Sequence, residues 1–491
     1  MKFPTRLLAT ALAGCIYSHT ACSANTLDLD TFIQTILDNN PGVQRILAQD
    51  SIAAGNLESS RGIDDPVLGT SGTLSQTEPD KINGFEPDRS RDRRLDVSLD
   101  RLYSSTGTRV GVDYGNLYTQ RDPASAALGA NYYQPSLTLR LTQPLMKNAR
   151  GIQDRLDLEL NQLSFDLTQL QTREELESYV TRLASLYLDW YLAFREMNIS
   201  REVYDQSVQQ EKLVRLKVSR QVAERYELYR AQETRTDYYS RWQQDIGEYE
   251  GLTQQVVTQM LAGAADTDRQ PVDPAITTLL APAEQAPDYL ATRSRLKAIL
   301  DTLRAQQAIL VDARSDARKP DLNLSLAYSR HGADDAFTDA HTRDLEQDDY
   351  SIGLEYRYPL GNRAARGALQ SQIASRQQVG ADTAQQLLDA QAALRDLQAQ
   401  ANKLTTALAA ADEKIALAGR KLKAEKHLYN IGELDLFELI QDQTAQLESR
   451  LNRERLFIQL LQLRLSIGEL LDRNLDGLSL PDLNNTSHAT S

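Results

Sequence analysis

His331, Asp334, Asp335, Asp339, His341, Asp344, Asp348 and Asp349 crowd one short stretch of the chain. Imidazole and carboxylate groups are metal ligands, so this stretch could hold a cation. Such a polar run also reads as a solvated loop, and that is the reading adopted here; residues 79–92 read the same way. No other constellation offers chemistry. There is no His-Glu-x-x-His, no Walker-type glycine loop, no Gly-x-Ser-x-Gly and no Cys-x-x-Cys. The expectation is a protein that is not an enzyme and needs neither metal nor cofactor. Both cysteines, Cys15 and Cys22, lie near the N-terminus, so the body has no disulfide and no thiolate chemistry.

The 491 residues carry 54 basic and 68 acidic side chains, a net charge of -14. A nucleic-acid partner is excluded, because neutralising phosphates needs a basic stripe. No apolar stretch is long enough for a membrane-spanning helix. Residues 1–24 read as an export signal: Lys2 and Arg6, then a short apolar core. Leu12-Ala13-Gly14-Cys15 has the form of a lipobox, which makes Cys15 a lipidation candidate. Cleavage after Ala24 is the competing reading.

Two periodicities fill the rest. Segments around 95–99, 136–142, 322–328 and 350–358 alternate apolar and polar residues, and 66–76 and 108–118 do so more weakly. Alternation gives a strand one oily and one wet face. From about 151 to 260, and from about 363 to 471, proline is absent and apolar residues recur at spacings of four and seven. Residues 151–220 as one helix would reach roughly 105 Å. That length implies a rod or the wall of a tube.

The pattern occurs twice. Residues 25–261 form a first repeat of short helix, strands and long helical hairpin. Residues 288–472 form a second, a proline-bearing linker spans 262–287, and 473–491 form a flexible tail. Tyr226-Glu227-Leu228 matches Phe437-Glu438-Leu439 at an offset of 211. Pro66 and Pro320 mark the ends of the two opening helices. Strands of this length suit an outer membrane, where open sheet edges are not tolerated. Four good strands cannot close alone, so several chains must share one barrel. A hairpin near 94–118 is left over, and nothing in the sequence decides whether it enlarges that barrel. Two small soluble sheets beside a coiled coil are the structural alternative.

These features resemble the TolC-like outer membrane efflux proteins, the outer membrane factors. The resemblance rests on Leu29-Asp30, Asn40-Pro41-Gly42-Val43, Thr142-Gln143-Pro144-Leu145, Tyr358-Pro359-Leu360-Gly361 and Tyr429-Asn430-Ile431-Gly432-Glu433, in that order. It implies an α+β fold: a long antiparallel coiled-coil barrel continuous with a transmembrane β-barrel. A homotrimer would share a barrel of twelve strands in outer-membrane lipid. The implied function is an exit duct of a tripartite efflux or type I secretion system, with a periplasmic adaptor and an inner-membrane pump as partners. The rival functions are a lipid-anchored coiled-coil scaffold without a pore and a stand-alone diffusion porin.

The resemblance also places residues. Glu227 and Glu438 fall on family aspartates near the periplasmic constriction, with Asp442 beside Gln441 where a second aspartate belongs. Leu434 stands where the family has an arginine. Tyr429 is a further constriction candidate, although a tyrosine on a heptad stripe more often packs in a core. Val218, Gln221, Gly432 and Glu433 lie at the helix-hairpin turns, where adaptors of the family are thought to dock. The expected glycine of the first turn is Gln221, while Gly432 is kept.

Overall fold

The computed structural model describes residues 26–78, 80, 87–125, 129–261, 269–274, 288–342 and 347–480. The export signal with Cys15, most of the linker, Asp344 and residues beyond 480 lie outside this set. The chain opens with β1 (Thr26–Leu27), then α1 (Leu29–Asn39) and α2 (Pro41–Arg61). Asp28 caps α1 by accepting from the Thr31 N–H at 2.8 Å. Asn40 ends α1 and caps α2, accepting from the Gly42 N–H at 2.7 Å. Pro41 sits at the first helical position, where its missing N–H costs nothing. A 3₁₀ turn at Gly62–Asp64 follows, so this helical segment stops short of Pro66. The residue before a proline disfavours the helical region, and the chain is extended from Asp65 onward.

Four strands come next: β2 (Val67–Thr77), β3 (Arg89–Tyr103), β4 (Thr108–Ser125) and β5 (Gly129–Pro144). Two long helices follow, α3 (Leu156–Ser219) and α4 (Arg225–Gln259). The short β6 (Gln270–Pro271) lies parallel to β1. The second half comprises α5 (Tyr289–Thr292), α6 (Arg295–Asp316), β7 (Asp321–His331), α7 (Phe337–Thr342), β8 (Gln347–Arg357), α8 (Arg363–Ile431) and α9 (Leu436–Leu470). At 1.5 Å per residue, α3 runs about 96 Å and α8 about 104 Å. The returning helices α4 and α9 each have 35 residues.

Six strands form one antiparallel sheet in the order β2-β3-β4-β5-β7-β8. The sequence offered four good strands and left the pair near 94–118 undecided; in the fold β3 and β4 are full members. Residues 89–92, expected in a loop, belong to β3. Alternation organises the faces. Leu68, Leu99, Val112, Leu139, Tyr328 and Tyr350 stand side by side across all six strands. One residue along, on the other face, stand Gly69, Ser98, Asp113, Thr138, Ser329 and Asp349. Val112 is half-buried, and the rest of the apolar row is exposed, from 41% at Tyr328 to 84% at Tyr350.

The main core lies around the middle of α3. Phe32, Ile33, Ile36, Val43 and Ile46 of the opening helices pack on Leu176, Val180, Tyr187 and Trp190. The buried Tyr187 hydroxyl donates to the Leu27 carbonyl at 2.7 Å and accepts from the Val272 N–H at 3.0 Å, so it clasps β1 to β6. Residues 473–480, expected to begin a flexible tail, fold back on this region. Asn474 is 1% exposed; its N–H donates to Glu177 and its side chain donates to Thr181 and Leu465.

A charged knot joins the two halves here. Arg295, at the start of α6, contacts Glu177 and Glu174 of α3 and Asp472 after α9. Burial lifts the Glu177 carboxyl to about 7, against the pull of Arg295. Glu174 is raised as well, again chiefly by burial. A carboxyl raised above its usual 4.5 favours folding when protonated. That contribution is complete below about 4.5 and fades as pH rises through about 7. The melting temperature of the purified protein is therefore expected to fall as pH is raised from about 5 to about 8, read by calorimetry. A rise over that window would contradict the assignment.

Candidate functional site at the helical tips

Each long hairpin turns in four or five residues at the end farthest from the sheet. The two turns are built alike. In the first, the Gln221 N–H bonds the Val218 carbonyl at 3.0 Å and the Val222 N–H bonds the Lys217 carbonyl at 2.9 Å. In the second, the Gly432 N–H bonds the Tyr429 carbonyl at 3.3 Å and the Glu433 N–H bonds the Leu428 carbonyl at 3.0 Å. Both pairs satisfy the last carbonyls of a helix through a left-handed residue. That residue is Gly432 at φ 85° in one turn and Gln221 at φ 60° in the other. Glycine enters this region freely; other residues pay roughly 1–2 kcal/mol. A Cβ at Gly432 would meet no atom within 4 Å, so the cost of Gly432→Ala is one of backbone alone. We expect it to destabilise the second tip by roughly 1–2 kcal/mol. Gln221→Gly should cause no such loss. Hydrogen exchange of the amides on either side of the two turns separates these outcomes.

Behind the turns lies a small core of Val214, Ala231, Leu422, Tyr429, Leu436 and Leu439. Tyr429 is thus inside the packing between the two hairpins of one chain, 4% exposed. Lys217 sits 3.6 Å from its ring centroid and donates to its carbonyl at 2.7 Å. Burial pushes the Tyr429 hydroxyl up to about 12. It lowers the Lys217 ammonium, against the opposing effect of Glu227. Val218 packs at the edge of the same core.

The acidic residues take separate positions. Glu227 is the third residue of α4, and its carboxylate accepts from the Glu224 N–H at 3.3 Å, closing a capping box. Glu438 occupies the same place in α9, where Asp435 caps instead by accepting from the Phe437 N–H at 3.2 Å. Glu438 and Glu433 are exposed. Asp442 accepts from Lys421 of α8 at 2.7 Å. Hydrogen bonding with Glu425 and Lys421 holds its carboxyl below the usual carboxylate range. Burial and the nearby Asp442 raise Glu425.

Sequence reasoning missed Lys217, Lys421 and Glu425. A signal for Lys421 existed. In an antiparallel hairpin, residues equidistant from the turn face each other, and Lys421 and Asp442 lie almost symmetrically about Gly432. Arg453 and Asp412 obey the same symmetry and pair at 2.9 Å.

The polar stretch at the far end of the sheet shows no convergent ligand set among its described residues. His341 bonds Tyr114 at 2.7 Å and the Phe337 carbonyl at 2.7 Å. His331 faces Asp349 at 3.4 Å, while Asp334 exchanges backbone bonds with Tyr133. Elsewhere, Glu174, Glu177 and Asp472 converge closely enough for a metal, but the Arg295 guanidinium already contacts all three.

No protein-family model and no curated protein sequence matches the chain. Solved structures do. The fold is similar to that of CusC, described through its folding and transmembrane channel formation, with a TM-score of 0.68 at 15% identity over 93% of this chain and 95% of that one. It is similar to the outer-membrane channel OprN, with a TM-score of 0.68 at 15% identity over 91% and 90%. It is also similar to the Campylobacter jejuni outer membrane channel CmeC, with a TM-score of 0.65 at 12% identity over 91% and 86%.

Proposed function

We propose, from the premise that this chain has the fold of solved outer-membrane channels, that it is one protomer of an outer-membrane exit duct. Three copies share a β-barrel in outer-membrane lipid, and their long helices form one tube in the periplasm. The duct catalyses nothing; it is opened at its tips by a periplasmic adaptor and supplied by an inner-membrane pump, in efflux or in type I secretion.

The observation that carries this reading is the sheet. One face is an exposed apolar surface, the other is polar, and the helices beyond it run about 100 Å. An apolar face of this size is unfavourable in water and favourable in hydrocarbon. Its polar reverse suits an aqueous lumen. Both edge strands, β2 and β8, pair on one side only among the described residues. In lipid such edges require partners.

Carboxylates repeated by three at a narrow mouth focus a negative potential and favour cations. Glu438 and Glu227 are the residues proposed for this role at the tip, with Val218, Gln221, Gly432 and Glu433 as the surface an adaptor meets. The first experiment is single-channel conductance of the detergent-extracted protein in a planar bilayer. Small cation-preferring steps support the duct. Large, permanently open steps indicate a diffusion porin, and no conductance from folded protein indicates a scaffold. The Glu227→Gln, Glu438→Gln double variant is expected to lose most of the cation preference and the block by multivalent cations. Unchanged selectivity would retire the carboxylate ring while leaving the duct intact.

A further inference from the structure

Hairpin β3–β4 is the feature that the twelve-stranded expectation does not absorb. Its 15 and 18 residues make it as long as its neighbours or longer. It does not lie over the sheet; it is inserted between β2 and β5. Every residue from Arg89 to Tyr103 has a partner on β4, and every residue from Val67 to Thr77 has one on β3. Over Leu95–Leu99 the hairpin continues both faces, with Gly72 and Asn116 beside Leu95 and with Arg93 and Arg101 bounding the apolar stretch. Leu95, Val97 and Leu99 alternate with Asp96, Ser98 and Asp100, in step with the strands on either side.

Its turn is also fixed to the helical end of the sheet. The buried Ser104 N–H and hydroxyl both donate to Asp64, each at 2.8 Å. Gly151, in the turn from β5 to α3, approaches so closely that a Cβ there would lie 1.6 Å from the Ser104 carbonyl oxygen. Gly107 takes φ 72° to complete the bend. A hairpin projecting away from the wall would need none of these contacts.

On the reading that three copies share one barrel, we infer that the barrel has eighteen strands, with β3–β4 of each copy forming part of the lipid-facing wall. Six strands come from each chain, and β8 of one copy closes on β2 of the next. At a strand spacing of about 4.8 Å and a tilt of about 40°, eighteen strands enclose a wall roughly 36 Å across, against roughly 24 Å for twelve. Barrels of this strand number hold an open aqueous channel. The outer mouth is then wider than the family pattern implies, and the limiting constriction lies elsewhere along the duct. Each of the carboxylates added to the lumen surface has a cation: Asp96 pairs with Arg94 at 2.8 Å, and Asp100 and Asp113 face Arg140 of β5 at 3.4 and 2.7 Å.

The test uses the full chain with Cys22→Ser, because Cys22 is the one thiol left if Cys15 is lipidated. Single variants Val97→Cys, Val112→Cys, Leu139→Cys and Asp113→Cys are labelled with a small fluorophore and reconstituted in vesicles containing bromine-labelled phosphatidylcholine. The mass of the detergent-solubilised particle gives the number of copies. We expect three copies, with labels at 97 and 112 quenched by about half, as at 139, and the label at 113 little affected, because alternate residues of a wall strand face lipid and lumen. Quenching at 139 without quenching at 97 and 112 would exclude the hairpin from the wall and restore twelve strands. Quenching at all three with only two copies would also overturn the count. No quenching at 139 would remove the membrane reading itself, and the inference with it.

Discussion

Arg295→Ala should lower the stability of the chain by about 3–5 kcal/mol, the loss seen when one partner of a buried ion pair is removed. Among the described residues, Arg295 is the cation that lies against Glu177, Glu174 and Asp472 together. Glu177 is fully buried, so its carboxylate would be left without a counter-charge. The cost should shrink at low pH, because a carboxyl already raised to about 7 can take up a proton in the folded chain. Denaturant unfolding at pH about 8 and about 5 measures both effects. A loss below about 1 kcal/mol at the higher pH would mean that the knot is no stronger than a surface ion pair. The two halves of the chain would then be held by their other contacts, namely apolar packing, Asn474 with Thr181 and Arg455 with Glu196.

Leu139→Arg should prevent accumulation of the assembled protein in membranes. Leu139 lies in the apolar row that crosses every strand, between Leu137 and Leu141 on the apolar face of β5. An arginine at the hydrocarbon midplane costs about 2–4 kcal/mol, and in the proposed trimer the cost would arise three times. The adjacent Thr138 points to the polar face, where it meets Asp113 and Ser329. Thr138→Arg should therefore leave assembly almost intact. The yield of detergent-extracted oligomer on semi-native gels measures both variants. Equal yields would show that the two faces meet the same solvent, against the barrel.

Residue spacing made much of the architecture legible. The two-residue alternation located all six strands, because a strand with one apolar and one polar face leaves a regular mark. Proline-free heptad stretches located the long helices closely, and the offset of 211 is the distance between the starts of α4 and α9. The break at Asn40 was less clear, since one residue ends one helix and caps the next. The place of β3 and β4 was not legible either. Alternation says that a segment is a strand; it does not say which strands lie beside it. The turn residues of the tips could be found, and Gln221 was recognised where a glycine was expected. The contacts of Lys217, Lys421 and Glu425 could not be read from any one segment, because each joins helices remote in sequence.

On the proposed reading, the edges of β2 and β8, which pair on one side only among the described residues, have a consequence for biogenesis. The helical half carries its own core, centred on Tyr187 and Trp190, and can become compact in an aqueous compartment. The sheet cannot be stable there: its open edges invite pairing with any strand they meet. A newly exported chain of the proposed duct would be half native and half adhesive until it met its sister chains and a bilayer. Its stability in that interval depends on concentration. On the duct reading, a holdase that shields the strands and leaves the helices free is what such a chain would need on its way to the membrane.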